Sequence, residues 1–146
     1  MSRNIRTGSN YHCFVSGQDA VLPSPLSSFN VAKSCATGYG ISFETSTGNT
    51  ADYNDNWLYY INNGAIWKLT GPYDTYSASQ LTQLTSNEVV IDPAASSFAV
   101  LGAEPSSSGD QQQPFVTIKL VGTITYKGVV TPFAIQTSMS QRLVDI

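Results

Sequence analysis

Apolar and polar residues along most of this chain alternate with a period of two, the pattern of strands that bury one face. The alternation begins after Cys35, where Gly40-Ile41-Ser42-Phe43-Glu44 puts Ile41 and Phe43 on a common side and predicts a first strand. Next come Trp57-Leu58-Tyr59-Tyr60-Ile61 and Ala65-Ile66-Trp67-Lys68-Leu69, flanking Asn62-Asn63-Gly64. Asn-Gly supplies the two positive-φ positions of a type I′ turn, so this is the strongest hairpin signal in the chain. Residues 81–85 fit a short strand or a connector equally well. Residues 89–91 and 97–101 read as two short strands separated at Asp92-Pro93, because proline cannot donate to a ladder. Residues 115–126 place Val116, Ile118 and Leu120 on one face. After a turn at Gly128, Phe133, Ile135, Thr137 and Met139 form the predicted inward face of a last strand.

The start of the chain reads differently. Residues 1–8 resemble the end of an interrupted helix, stopped at Gly8, and residues 9–37 read as an irregular loop in which Gly17, Pro23 and Pro25 punctuate a serine-rich stretch. Residues 38–146 carry the sheet. The expectation is therefore a single α+β domain: a short N-terminal helix remnant, an irregular loop, and an antiparallel sheet of about six strands.

Composition narrows the class. The chain has 146 residues, 41% of them hydrophobic, enough for one cored domain. Only 12% are charged, well below the usual share of about 25%, which suits a β-rich extracellular protein. A net charge of -3 without a Lys/Arg cluster leaves nothing to neutralise a run of phosphates, so nucleic acid is a poor partner. No apolar run approaches the ~20 residues that cross a bilayer as a helix. The two cysteines, Cys13 and Cys35, bracket the loop. A disulfide between them would stabilise the fold by roughly 3 kcal/mol in the chain-entropy picture, and two unrelated buried thiols are the alternative.

Candidate chemistry is sparse. The sole histidine, His12, adjoins Cys13, and neighbours in an extended segment point to opposite sides, which makes a poor Cys-His dyad. No G-x-S-x-G elbow, no zinc-ligand spacing and no paired acids stand out, so neither an enzyme nor a cofactor is expected. One weak metal pattern exists: Asp52, Asn54 and Asn56 alternate as in a calcium loop, but Trp57 and Asn63 stand where such a loop needs Gly and Glu. Trp57, Tyr59, Trp67 and Tyr73 belong to an aromatic-rich stretch. They form either a binding platform for a carbohydrate or partner, or cross-strand pairs of the core.

The two chain ends carry a further pattern. Ser2-Arg3-Asn4-Ile5-Arg6-Thr7-Gly8 through Cys13 resembles the segment where the N-terminal helix of type IV pilin-like proteins enters the head. Gln113 to Leu120, with Phe133 to Ile146 and its Gln136-Thr137-Ser138-Met139-Ser140-Gln141-Arg142 run, resembles the last two strands of that family. The resemblance implies a soluble head whose membrane-spanning helix has been removed, from a parent with a leader peptide that is cleaved and methylated at the inner membrane. It also implies assembly with other pilin subunits into a cell-surface filament, a fimbrium with adhesive loops. A type II secretion pseudopilin shares these features. A free-standing carbohydrate- or partner-binding β-domain is the reading from another class.

Overall fold

The computed structural model describes residues 1–19, 27–75, 77–105, 107, 109 and 112–142. Strand accounts for 50% of the chain and helix for 12%. The one α-helix among the described residues is α1 (Ser2–Thr7), and none of their helices is long and apolar enough to cross a membrane. Ten strands follow: β1 (Ser9–Phe14), β2 (Cys35–Gly38), β3 (Gly40–Glu44), β4 (Asn56–Asn62), β5 (Ala65–Thr70), β6 (Leu81–Gln83), β7 (Val89–Ile91), β8 (Ser97–Leu101), β9 (Phe115–Tyr126) and β10 (Val129–Ser140).

They form two antiparallel sheets. The first has the order β1-β3-β4-β5-β6, the second β10-β9-β8-β2 with β7 alongside β9. This corrects the α+β, pilin-like expectation: the body is two sheets with a six-residue helix at one corner. The difference arises in residues 9–37, expected as an irregular loop, which contribute a strand to each sheet. Tyr11 to Phe14 are buried consecutively, so β1 shows no alternation. Its outer edge is covered by a parallel bridge from His12 to Lys33, with Cys13 N donating to Lys33 O and Lys33 N to Tyr11 O. A strand enclosed on both faces lacks the period-two signature.

The core between the sheets joins Ile41, Phe43, Tyr59 and Ile61 of the first to Phe98, Val100, Val116 and Ile118 of the second. A second cluster, Phe14, Phe29, Leu58, Tyr60, Leu69 and Tyr73, lies on the other side of the first sheet. The Asn63-Gly64 turn has φ of 48° and 71°, the left-handed pair the sequence demanded, and sets the full β4–β5 register from Trp57↔Thr70 to Asn62↔Ala65. Helix α1 is held, not loose. Ile5 is wholly buried in the core, Asn4 Nδ2 donates to Tyr59 Oη, and Arg142 N donates to Arg6 O.

The two sheets are stapled where the chain passes between them. Cys13 on β1 is bonded to Cys35 on β2, closing a separation of 22 residues with Cα atoms 5.8 Å apart. The chain then crosses from β2 to β3 through Tyr39 alone. A Cβ on Gly38 would lie 2.6 Å from Cys13 Sγ, 2.9 Å from Cys35 Sγ and 2.5 Å from Phe14 O, so only glycine lets the backbone pass the disulfide. Replacing both cysteines with serine is expected to cost about 2–5 kcal/mol in urea unfolding. Gly38→Ala is expected to destabilise the oxidised protein more than the reduced one, because the bonded sulfurs fix the contact.

Candidate interaction surface

The longest regular element is the β9–β10 hairpin, and its two halves have different surroundings. Lys127 and Gly128, with φ of 49° and 78°, make its two-residue turn, and all twelve residues pair from Val129↔Tyr126 to Ser140↔Phe115. On its other side β9 is covered by β8 along 115–119 and by β7 along 122–124. Among the described residues β10 has no strand neighbour in the second sheet but β9 and is an edge strand.

Register fixes which side chains share the core-facing side. On β9 these are Val116, Ile118, Leu120, Gly122, Ile124 and Tyr126; opposite them on β10 stand Met139, Thr137, Ile135, Phe133, Thr131 and Val129. The first sheet covers only part of this side. Val116, Ile118, Leu120 and Met139 are buried, and Phe133 is half-buried over Gly122. Beyond them Ile124, Ile135, Tyr126 and Val129 are 41%, 58%, 65% and 65% exposed. The predicted inward face of the last strand is thus inward only at Phe133 and Met139, while Ile135 and Thr137 face solvent. Among the described residues the strip is an extension of the core that neither sheet covers, with Lys127 Nζ 5.3 Å from the Tyr126 ring centre at its tip.

The usual protections of such an edge are few. Strand β10 carries no charged residue, and apart from Lys119 neither does β9. Pro132, which lacks a backbone donor, is the proline on this edge, and Lys127 stands at the turn beside it. Helix α1 reaches only the far end, where Arg142 N meets Arg6 O. A sequence signal existed: Val129 and Val130 are adjacent, so apolar groups lie on both faces of the hairpin tip, and both are exposed.

The residues singled out from sequence lie elsewhere and are dispersed. Trp57 and Tyr59 share the core-facing side of the first sheet, where Trp57 is half-buried with Lys68 Nζ 3.5 Å from its ring centre and Tyr59 is buried against Phe43. Trp67 pairs with Tyr60 and so points to the opposite side. Tyr73 is buried in the second cluster and donates to Asn56 O. Two of these four rings are inside and the other two lie on opposite faces, so they do not form one platform.

The alternating oxygens of 52–56 do not converge either. Asp52 Oδ1 accepts from Asn54 N, and Asn54 Oδ1 accepts from Tyr73 N and Asp74 N; these caps hold the turn at 53–55 in place. Among the described residues no group of three or more His, Cys, Asp and Glu side chains is placed to hold a metal. His12 is buried with Nδ1 2.7 Å from Val31 O and Nε2 3.3 Å from Asp19 Oδ1. Asp19 also accepts from Lys33 Nζ and Val15 N at 2.8 Å each, tying the 15–19 turn to the segment beside β1. Residues 143–146, the end of the run that resembles pilin strands, lie outside the described residues, as do 20–26 of the expected loop.

No family model, curated protein or solved structure matches this chain.

Burial raises the Asp19 carboxyl, and the Lys33 ammonium, the Val15 amide and His12 outweigh it, leaving the group below the usual carboxylate value. A carboxyl held low in the folded state contributes stability above its ordinary pKa and loses it as the pH falls through the folded value. Asp19→Asn is therefore expected to cost about 1–3 kcal/mol at neutral pH, with the difference from the parent shrinking below about pH 4. Urea unfolding of both proteins across that range checks it.

Proposed function

We propose that this chain is a structural subunit of a cell-surface filament of the type IV pilus kind, joined to its neighbours through the exposed strip of the β9–β10 hairpin. The observation that carries the proposal is the run Ile124, Tyr126, Val129 and Ile135, which continues a core face into solvent along an uncharged edge strand. Exposed apolar residues scattered singly need no explanation, whereas a contiguous group on one face marks an interaction site. Open strand edges pair readily with other chains, and an edge without charges pairs as well with a second copy of itself as with anything else.

Two further features support a subunit over a free-standing binding domain. Helix α1 is seated beside the far end of β10 with Ile5 buried in the core, so a segment entering through it would be held by the same sheet that carries the strip. The aromatic residues that a glycan-binding module would display are split between the core and two opposite faces. The inner membrane is the partner before assembly in this proposal, other subunits the partners after it, and a type II secretion filament is the variant of the same architecture.

Introducing a charge on the strip tests it. Ile135→Glu and Val129→Glu leave the buried core untouched, so the unfolding free energy is expected to stay within about 0.5 kcal/mol of the parent. In cells, surface filaments seen by electron microscopy are expected to be lost with either variant. Normal filaments in both variants would defeat the proposed interface. Unchanged filaments together with a secretion defect in a deletion strain would move the protein to the secretion variant.

A further inference from the structure

At the connection between β3 and β4 stands a set of buried oxygens without a hydrogen-bond partner of normal geometry among the described residues. Glu44, the last residue of β3, stands directly across from Asn56, the first of β4, on the side of the sheet that carries the second core cluster. Its side chain points inward and is 1% exposed, and neither Oε1 nor Oε2 has a hydrogen-bond partner of normal geometry. Asp55 Oδ1 and Asn56 Oδ1 are buried and unpartnered as well.

Each of the two neighbours is oriented by a bond through its other atom. Asp55 Oδ2 accepts from Asn49 N at 2.7 Å, and Asn56 Nδ2 donates to Asn30 Oδ1 at 3.0 Å, which leaves both Oδ1 atoms to spare. The carboxylates converge under the loop backbone. A Cβ on Gly48 would lie 1.7 Å from Glu44 Oε1 and 3.2 Å from Asp55 Oδ2, so the loop passes over them with no room for a side chain.

A buried carboxylate without a partner costs several kcal/mol unless it is neutralised by a proton or a cation. Here two carboxylates meet under the loop at Gly48, and the Asn56 amide stands across the strand pair from Glu44. All-oxygen donors on a loop are the set that a hard divalent ion takes, and calcium accepts carboxylates mixed with amide and backbone carbonyls. We propose that Glu44, Asp55 and Asn56 form a calcium site that pins the 45–55 loop to the second core cluster. The two carboxylates balance the ion's charge, and the hydrogen bonds from Asn49 and Asn56 hold the donors in place before it arrives. Without the ion, burial, the adjoining Asp55 carboxyl and the charges of Asp55 and Asp52 push Glu44 up to about 8 against a smaller pull from the Asn49 amide. A proton then occupies the hole in its place.

The site is independent of the hairpin strip and of the filament proposal. The test uses the full chain after treatment with EDTA, titrated near neutral pH with calcium chloride by calorimetry. A parallel titration with terbium follows luminescence excited through tyrosine, since Tyr73 donates to Asn56 O at the edge of the site. One saturable site is expected, weakened at least about tenfold by Glu44→Gln and by Asp55→Asn, and changed less than about threefold by Asp52→Asn. Gln has the shape of the protonated Glu, so Glu44→Gln is expected to fold, and circular dichroism verifies it. If it fails to fold, Asp55→Asn carries the test. Calcium is expected to raise the unfolding temperature of the parent and not that of the Gln variant. Absence of saturable binding by the parent, binding untouched by both variants, or an equal response to magnesium would each overturn the assignment.

Discussion

Everything in this molecule depends on the place where its two sheets exchange a chain. β1 belongs to the first sheet and β2 to the second, and the disulfide between Cys13 and Cys35 joins them at the start of β2, just before the chain crosses at Tyr39. Both sulfurs lie against Phe98 O, so the link borders the shared core where β1 and β2 end their sheets. A strongly packed core would hold two sheets together without it. In this chain the core thins toward β10, and one covalent link near the other edge substitutes for area that the first sheet does not cover. Gly38 is the corollary, since the crossing and the disulfide occupy the same space.

The parts of the fold that could be read from residues alone are those governed by local rules. The β4–β5 hairpin follows from Asn63-Gly64, whose left-handed angles fix both turn and register. Val116, Ile118 and Leu120 alternate because one side of β9 is inside. What could not be read is set by tertiary neighbours. β1 and β2 lie in a stretch whose glycine, prolines and serines argue for a loop, and their pairing depends on residues far along the chain, Glu44 and Val100 among them. The presence of a second sheet was hidden for that reason, and with it the departure from a helix-and-single-sheet head. The aromatic group misled in another way: alternation showed that the rings had faces, not that Trp57 and Trp67 would take opposite ones.

The surface features differ in the same respect. The strip on β10 was legible as an apolar face but not as an uncovered one, because alternation reports that a side chain seeks burial and cannot report that its cover is missing. For the 45–55 loop, the run Asp52-Tyr53-Asn54-Asp55-Asn56 drew attention to the connection that carries Asp55 and Asn56, two of the three residues of the proposed site. Asp52 and Asn54 spend their oxygens on backbone amides, which shapes the turn that delivers Asp55 and Asn56 beside Glu44. Glu44 itself had no sequence signal, since on a strand ending at a polar loop it reads as a solvated rim residue.

The strip and the buried carboxylates are both places where the sequence acts against its own stability. Covering Ile124, Ile135 and Val129, or replacing them with polar residues, would lower the exposure of apolar area that water disfavours. An apolar or amide side chain in place of Glu44 would remove a desolvated acid from beside a second one. Local choices elsewhere in the chain agree with the fold: turn residues where turns occur, glycine where the backbone must pass the disulfide, alternation where one face is inside. Against that consistency, two departures that lower stability and lie on separate elements are the places where, on the two proposals above, an outside group would complete the structure. The chemistry differs accordingly, an apolar strand-bearing neighbour at one and a small oxygen-seeking cation at the other. The rigid two-sheet body between them explains how both can persist, because neither departure loosens the register of the sheets that carry it.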